Sequence, residues 1–274
     1  MKYAQYYELA ERHGWRITDL DWKQLEADAA AGVLSELDRA ALLGTAVIEH
    51  GVPHYSEVWS LVDGLRDHWD LWQFTTLWTS EEHRHSHVLK KVCEALGIAD
   101  QIADDLSAVE GFAFAQAQKK SCVDDCYKSV PGMLTYAIIQ ELATNHFYLM
   151  VAKRTKSAFI KDLFTRIAGD EMRHHVFYRD ALREAFTTAT DPVWFSDQVY
   201  RATRAFKMPH LIYELQVPFF EGGDWAIEGD LHMQLARCFS FDPMLLGRLM
   251  TDYQAQLQRP DQANSTLANP TALS

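Results

Sequence analysis

Apolar positions recur at alternating three- and four-residue steps over several long stretches, the spacing of one face of an α-helix. One stripe reads Leu71, Phe74, Trp78, Glu82, His85, Leu89, Val92, Leu96, and another Ile160, Phe164, Ile167, Glu171, His174, Tyr178. A third runs Leu134, Ile138, Glu141, Asn145, Tyr148, and a shorter one Leu42, Ala46, Glu49. Each apolar run is interrupted by a carboxylate, or by a carboxylate and an imidazole, which therefore faces the interior. Alternating Val/Ile-rich segments are missing and the few prolines stand near helix boundaries, so the pattern predicts an all-α fold.

The boundaries follow from end signals. Ser35 with Asp38 three residues later is a capping-box variant that opens a helix through Glu49, with Pro53 bending it or ending its regular part. A second helix is expected from near Asp67 to Gly97, a third from Pro131 to about Lys156, and a fourth from about Ser157 to Thr187. Residues 98–130 make a long connection with helical content of its own. Asp191-Pro192 and Asp242-Pro243 read as N-cap plus first-turn proline and mark two later helices. Residues 1–257 are expected to form a single domain, and the polar, small-residue-rich stretch 258–274 a flexible tail.

Composition narrows the function. A chain of 274 residues with 48% hydrophobic content has enough material for a large core. No stretch approaches the roughly 20 consecutive apolar residues of a spanning helix, and the N-terminus lacks a signal-type apolar run, so the cytoplasm is the expected compartment. The four cysteines, Cys93, Cys122, Cys126 and Cys238, read as reduced thiols. Cys122 and Cys126 are spaced to meet on one helix face, which packing explains more simply than metal or redox chemistry. A net charge of −12 argues against nucleic-acid binding. An acidic partner would need a local basic patch, at Lys90–Lys91, Lys119–Lys120, or Lys153, Arg154 and Lys156.

The candidate chemistry lies in two copies of Glu-x-x-His, in EEHRH ending at His85 and DEMRH ending at His174. Residues three apart on a helix share a face, about 4.5 Å apart along the axis, so carboxylate and imidazole can reach one ion. A buried carboxylate needs a partner, and the other two stripes offer Glu49 and Glu141. Glu49 precedes Glu82 by 33 residues and Glu141 precedes Glu171 by 30, which suits two antiparallel hairpins of similar build. Four ionised glutamates are neutralised by two divalent ions, whereas one zinc would leave the site overcharged. A glutamate from each of two helices and Glu-x-x-His from each of two more is the pattern of ferritin-like di-iron and di-manganese proteins. The competing arrangement pairs these carboxylates with Arg84, Arg173 and neighbouring histidines. His50, His54, His83, His87 and His175 flank the ligands in sequence but point elsewhere on their helices.

The segments VIEHGVPHY, LWTSEEHRH, YAIIQELAT and IAGDEMRHHVFY resemble the soluble acyl-[acyl-carrier-protein] desaturases over roughly residues 40–185. The resemblance implies a ferritin-like four-helix bundle with additional helices, forming a homodimer. Glu82 and Glu171 would bridge two Fe ions cycling between Fe2+ and Fe3+, Glu49 and Glu141 would each cap one, and His85 and His174 would complete the set. Manganese also suits such ligands. It further implies that a ferredoxin-type donor supplies electrons, and that O2 drives removal of two hydrogens from an acyl chain tethered to acyl carrier protein, leaving a cis double bond. Thr144 takes the place of the family's proton-handling threonine, the alternative being a hydroxyl bonded to its own helix. Asp170 is expected to orient His85, and Glu81 to orient His174, by accepting the free ring N–H. Trp15 or Trp22 would extend an electron path, although packing accounts for either more simply.

The chain departs from the family pattern at His50, where a second acid is common, and at Leu142, where an arginine is. Asn145 and His146 are polar near the expected cavity. Trp72, Phe74, Met133 and Tyr136 are candidates to line an acyl channel. Two further readings follow: a di-iron hydroxylase or N-oxygenase acting on a more polar substrate, and an iron storage or sensing protein.

Overall fold

The computed structural model describes residues 2–119, 125–206, 234–235 and 237–257. In chain order the helices are α1 (Tyr3–His13), α2 (Trp22–Ala30), α3 (Glu36–Glu49), α4 (Val52–Ser60), α5 (Trp69–Ala95), α6 (Ala103–Lys119), α7 (Val130–Arg154), α8 (Ala158–Thr187), α9 (Pro192–Ala205) and α10 (Pro243–Leu257). Among the described residues there is no strand, only an isolated bridge between Asp63 and Ser129. None of the described helices is long and apolar enough to cross a membrane.

The helix ends lie close to the boundaries read from sequence. Ser35 Oγ accepts the Asp38 N–H at 3.2 Å while Asp38 Oδ2 accepts the Ser35 N–H at 2.8 Å, a reciprocal box that fixes the start of α3. Pro53 starts a separate helix rather than bending α3. It has no N–H to give the Glu49 carbonyl, so the ladder stops at Glu49 and restarts with Pro53 in the first turn of α4. Gly97, at φ 66°, turns the chain out of α5, and Ile98 N–H returns to Cys93 O at 2.9 Å. Ser129, Ser157, Asp191 and Asp242 each accept a first-turn N–H of the helix that follows.

Helices α3 and α5 pack as one pair and α7 and α8 as another, and contacts of α5 with α8 and α3 with α7 join the pairs into a four-helix arrangement. Its interior has two apolar layers. One contains Phe74, Trp78, Leu134, Ile138, Phe177 and Leu182. The other contains Leu42, Leu89, Val92, Val151, Phe164 and Ile167. On α5, α7 and α8 the residues between these layers are Glu82 and His85, Glu141, and Glu171 and His174, so a polar tier divides the core. Outside the bundle, α2 is tied to the start of α8 through buried Asp28, whose Oδ2 accepts from Ser157 Oγ at 2.6 Å and Phe159 N at 3.2 Å.

Cys93 and Cys238 are free and buried. Cys122, Lys120 and the expected tail 258–274 lie outside the described residues, as does the side chain of Cys126.

Candidate metal centre

The polar tier brings six side chains together. Glu82 and His85 stand one turn apart on α5, Glu171 and His174 one turn apart on α8, Glu141 comes from the middle of α7, and Glu49 is the last residue of α3. All six are buried, the two histidines completely. Ligand atoms of Glu49, Glu82, His85 and Glu171 lie within 4.8 Å of one another, and so do those of Glu82, Glu141, Glu171 and His174. Glu82 and Glu171 belong to both quartets, the sharing that two neighbouring ions require.

The histidines are oriented from behind. His85 Nε2 donates to Asp170 Oδ2 at 2.9 Å, and His174 Nε2 donates to Glu81 Oε2 at 3.1 Å. A neutral ring that donates from Nε2 turns the lone pair of Nδ1 toward the glutamates. His85 Nδ1 lies 3.5 Å from Glu171 and 3.6 Å from Glu82. His174 Nδ1 lies 3.0 Å from Glu82, 3.4 Å from Glu141 and 3.6 Å from Glu171. Neither Nδ1 is in hydrogen-bond geometry, and Glu82 Oε1 and Glu171 Oε1 likewise lack a partner. Four buried polar atoms converging without partners are what a cation site provides and a closed hydrogen-bond network does not. The donor set of carboxylates and imidazoles suits iron or manganese.

Electrostatics lead to the same conclusion. Burial, and then the charges of Glu82 and Glu171, push Glu49 well above the usual carboxylate range, and burial with Glu171 does the same to Glu141. Burial also pushes Glu82 and Glu171 up, but the facing histidines, joined for Glu171 by its hydrogen bond with Glu141, outweigh it and keep both low. His85 and His174 are raised despite burial, His85 chiefly by Glu82, and His174 by the facing oxygens of Tyr6 and Glu141. Two divalent ions with four ionised carboxylates and two neutral imidazoles make a neutral centre.

Arginines serve the outer acids. Arg84 pairs with Asp170 at 2.8 Å and Arg173 also pairs with Asp170, while each lies 3.7 Å from Glu81. The competing arrangement therefore describes Asp170 and Glu81, and among the described residues no arginine ion pair reaches the four inner glutamates. Aromatic donors complete the surroundings. Tyr148 donates to Glu49 at 2.5 Å, Trp78 to Glu141 at 3.1 Å, Tyr6 to Glu81 at 2.5 Å and Trp15 to Asp170 at 2.9 Å. Trp15 also stacks on His85, with centroids 6.3 Å apart and planes 6° apart. Trp15 was read in the sequence only as an electron-path candidate, and the other three donors went unread. Trp78 and Tyr148 stand on the ligand stripes, but an aromatic there reads as core, and Tyr6 carries no signal at all.

The remaining candidates fall as follows. Thr144 donates to the carbonyls of Gln140 and Glu141 in its own helix, each at 3.1 Å. Asn145 donates to Ala168 O at 2.6 Å, and Leu142 is fully buried. His83 and His87 are exposed, His54 packs edge-on against Phe112, and His50 contacts Glu110 at 2.7 Å. His175 bonds Ile138 O through Nδ1 at 3.0 Å and faces Cys238 Sγ at 3.6 Å, and burial pushes its pKa down to about 4. Trp22 donates to Ile17 O at 3.1 Å under Lys91. Phe74 and Met133 are core, Tyr136 is half-buried, and Trp72 is exposed beside Arg66.

Known proteins resemble this chain in sequence and in fold. DesA1 of Mycobacterium tuberculosis is 25% identical over 206 residues, covering 73% of this chain and 54% of the relative. The chloroplastic stearoyl-[acyl-carrier-protein] 9-desaturase of Ricinus communis is 27% identical over 189 residues, covering 63% of this chain and 44% of the relative. The chain thus spans about half the length of the curated relatives it matches. Among solved structures, an R2-like ligand-binding oxidase with an aerobically reconstituted Mn/Fe cofactor aligns over 92% of this chain and 90% of its own. Its TM-score of 0.54 at 15% identity shows a shared ferritin-like fold. The sequence model of the type 2 fatty acid desaturases matches residues 17–219, and the chain belongs to that family.

Proposed function

We propose that this chain is an O2-dependent di-iron desaturase that introduces a cis double bond into an acyl chain tethered to acyl carrier protein, and that it works as a homodimer fed by a ferredoxin-type donor. The observation that carries this reading is the pair of buried ligand quartets sharing Glu82 and Glu171, with both Nδ1 lone pairs turned inward. Family membership supports the substrate class.

Glu49, Glu82, His85 and Glu171 would hold one ion, and Glu82, Glu141, Glu171 and His174 the other. When bound, such a pair supplies the dioxygen chemistry that saturated methylenes need. The chain's own residues supply the setting. Asp170 and Glu81 hold the ring N–H of each histidine so that Nδ1 stays available. Tyr148 and Trp78 each fix one oxygen of a capping glutamate and leave the other to bind. The apolar layers above and below exclude water from the tier. In this reading Thr144 would relay a proton one turn from Glu141 by giving up the bonds its hydroxyl makes to the Gln140 and Glu141 carbonyls. Asn145 turns an amide N–H to the Ala168 carbonyl of α8.

The test is anaerobic loading with Fe2+ or Mn2+, metal counting, then reduction and exposure to O2 with a panel of carrier-bound acyl chains. Loss of two hydrogens by mass spectrometry is the expected product. Gain of one oxygen would establish a hydroxylase instead, and oxygen uptake without organic product a storage role. A Glu171→Ala chain is expected to retain neither ion.

A further inference from the structure

Residues 3–15 give each ligand histidine an oxidisable aromatic neighbour through its supporting acid: Trp15 on Asp170 and Tyr6 on Glu81. Tyr6 is the unusual one. It is completely buried, its O–H lies 2.5 Å from Glu81 Oε2, and the same oxygen accepts from His174 at 3.1 Å. The ring centroids of Tyr6 and His174 are 6.3 Å apart. Phe74 and Phe177 pack edge-on against Tyr6 at 4.7 and 5.5 Å, making a dry slot.

A phenol gives up an electron readily only when its proton leaves at the same time, and Glu81 is an acceptor already in contact. Arg84 and Arg173 flank that acid, each at 3.7 Å. Further tyrosines stand on the same helix toward the surface. Tyr3 is one helical turn before Tyr6, its ring is 6.2 Å from that of Tyr7, and Tyr7 is 45% exposed. Tyr148, the other tyrosine bonded to a carboxylate of the tier, is flanked by Phe147 and Phe164, which cannot carry an oxidising equivalent onward.

We propose that Tyr6 is a redox-active side chain that drains an oxidising equivalent from the metal site to the surface through Tyr3 and Tyr7 when O2 has reacted and no acyl chain is present. This role rests on the reading under Proposed function. Tyr6 gives one electron to the site, lowering its oxidation level by one, and its O–H proton passes to Glu81. The Tyr6 phenoxyl then takes an electron from Tyr3 or Tyr7 and recovers its proton from Glu81, while the surface phenol releases a proton to water. A small thiol or ascorbate-type reductant returns a hydrogen atom to the surface phenoxyl.

The experiment uses the whole chain, iron-loaded and reduced, mixed with O2 without acyl substrate and freeze-quenched for electron paramagnetic resonance, with iron content and oxygen uptake measured on the same sample. A tyrosyl radical signal is expected that narrows with ring-deuterated tyrosine, disappears in Tyr6→Phe, and persists longer when Tyr3→Phe and Tyr7→Phe are combined. Oxygen uptake with no radical, or the same signal in Tyr6→Phe, overturns the role. Failure to bind iron or consume oxygen overturns the desaturase reading and this role with it. Should Tyr6→Phe not fold, the surface double variant decides the question, because an unchanged radical lifetime there excludes the relay.

Discussion

Asp170 is completely buried and receives the Trp15 indole N–H, the His85 ring N–H and both Arg84 and Arg173. Burial pushes its pKa up, but the His85 bond and the two guanidinium charges outweigh this, so the carboxyl is held well below its ordinary value. Asp170→Asn would keep the shape, remove the charge and turn an NH2 toward groups that are themselves donors. The expected loss is about 1.5–3 kcal/mol of stability, because the half-buried Arg84 and Arg173 and the His85 ring lose a charged acceptor. Metal affinity beside His85 should also fall by about 10–100-fold. Denaturant titration and metal competition measure the two, and a variant as stable and as tightly loaded as the parent would refute the assignment. The six inner positions were legible in the sequence because a charged residue inside an apolar stripe has no bland explanation. Tyr6, Trp78 and Tyr148 were not, because an aromatic at a helical step is ordinary core until packing fixes where its N–H or O–H points, and Trp15 was legible only as an electron-path candidate.

Among the elements, the start of the 30-residue α8 depends on a partner from outside the bundle. Asp28 Oδ2 accepts from Ser157 Oγ and Phe159 N, and Oδ1 accepts from Gln24 at 2.7 Å. A carboxylate there also meets the positive end of the helix dipole. Burial pushes Asp28 up, but the hydrogen bonds from Ser157, Phe159 and Gln24 prevail and hold it below 3.8. A depressed folded-state pKa means that its stabilisation is complete above the unfolded value and is lost as pH falls through the folded one. Asp28→Ala is therefore expected to cost about 2–3 kcal/mol near neutrality. That deficit should shrink as pH falls below about 4, and a constant deficit would argue against the assignment. The four bundle helices were readable from their stripes and caps, and Ser35→Ala should cost about 1 kcal/mol through the lost box. Helices α1 and α2 escaped sequence analysis, since short helices on the outside of a bundle bury too few positions for a period to emerge. Pro53 was recognised as a disruption, but whether a proline bends a helix or divides it depends on how the carbonyl before it is satisfied.

For the whole molecule, the ligand set ties metal uptake to protons. The pKa values of Glu49, Glu141, His85 and His174 are all raised, the carboxyls by burial and the imidazoles by facing oxygens, and each of the four must be deprotonated to hold an ion. Metal uptake should release protons and weaken steadily as pH falls, which calorimetric titration in buffers of different ionisation enthalpy will measure. Loading should also raise the melting temperature, since the unfolded chain has no such site. Uptake without proton release would contradict the charge balance.

A hydrophobic interior split by a polar storey has a consequence for how the protein comes apart. With ions in place, the metal–ligand bonds rivet the upper and lower blocks across that storey, and heating should melt them together, with calorimetric and van't Hoff enthalpies equal. Stripped by a chelator, the blocks are joined mainly by helix backbone and proton-shared acids, and the thermogram should broaden into separate steps.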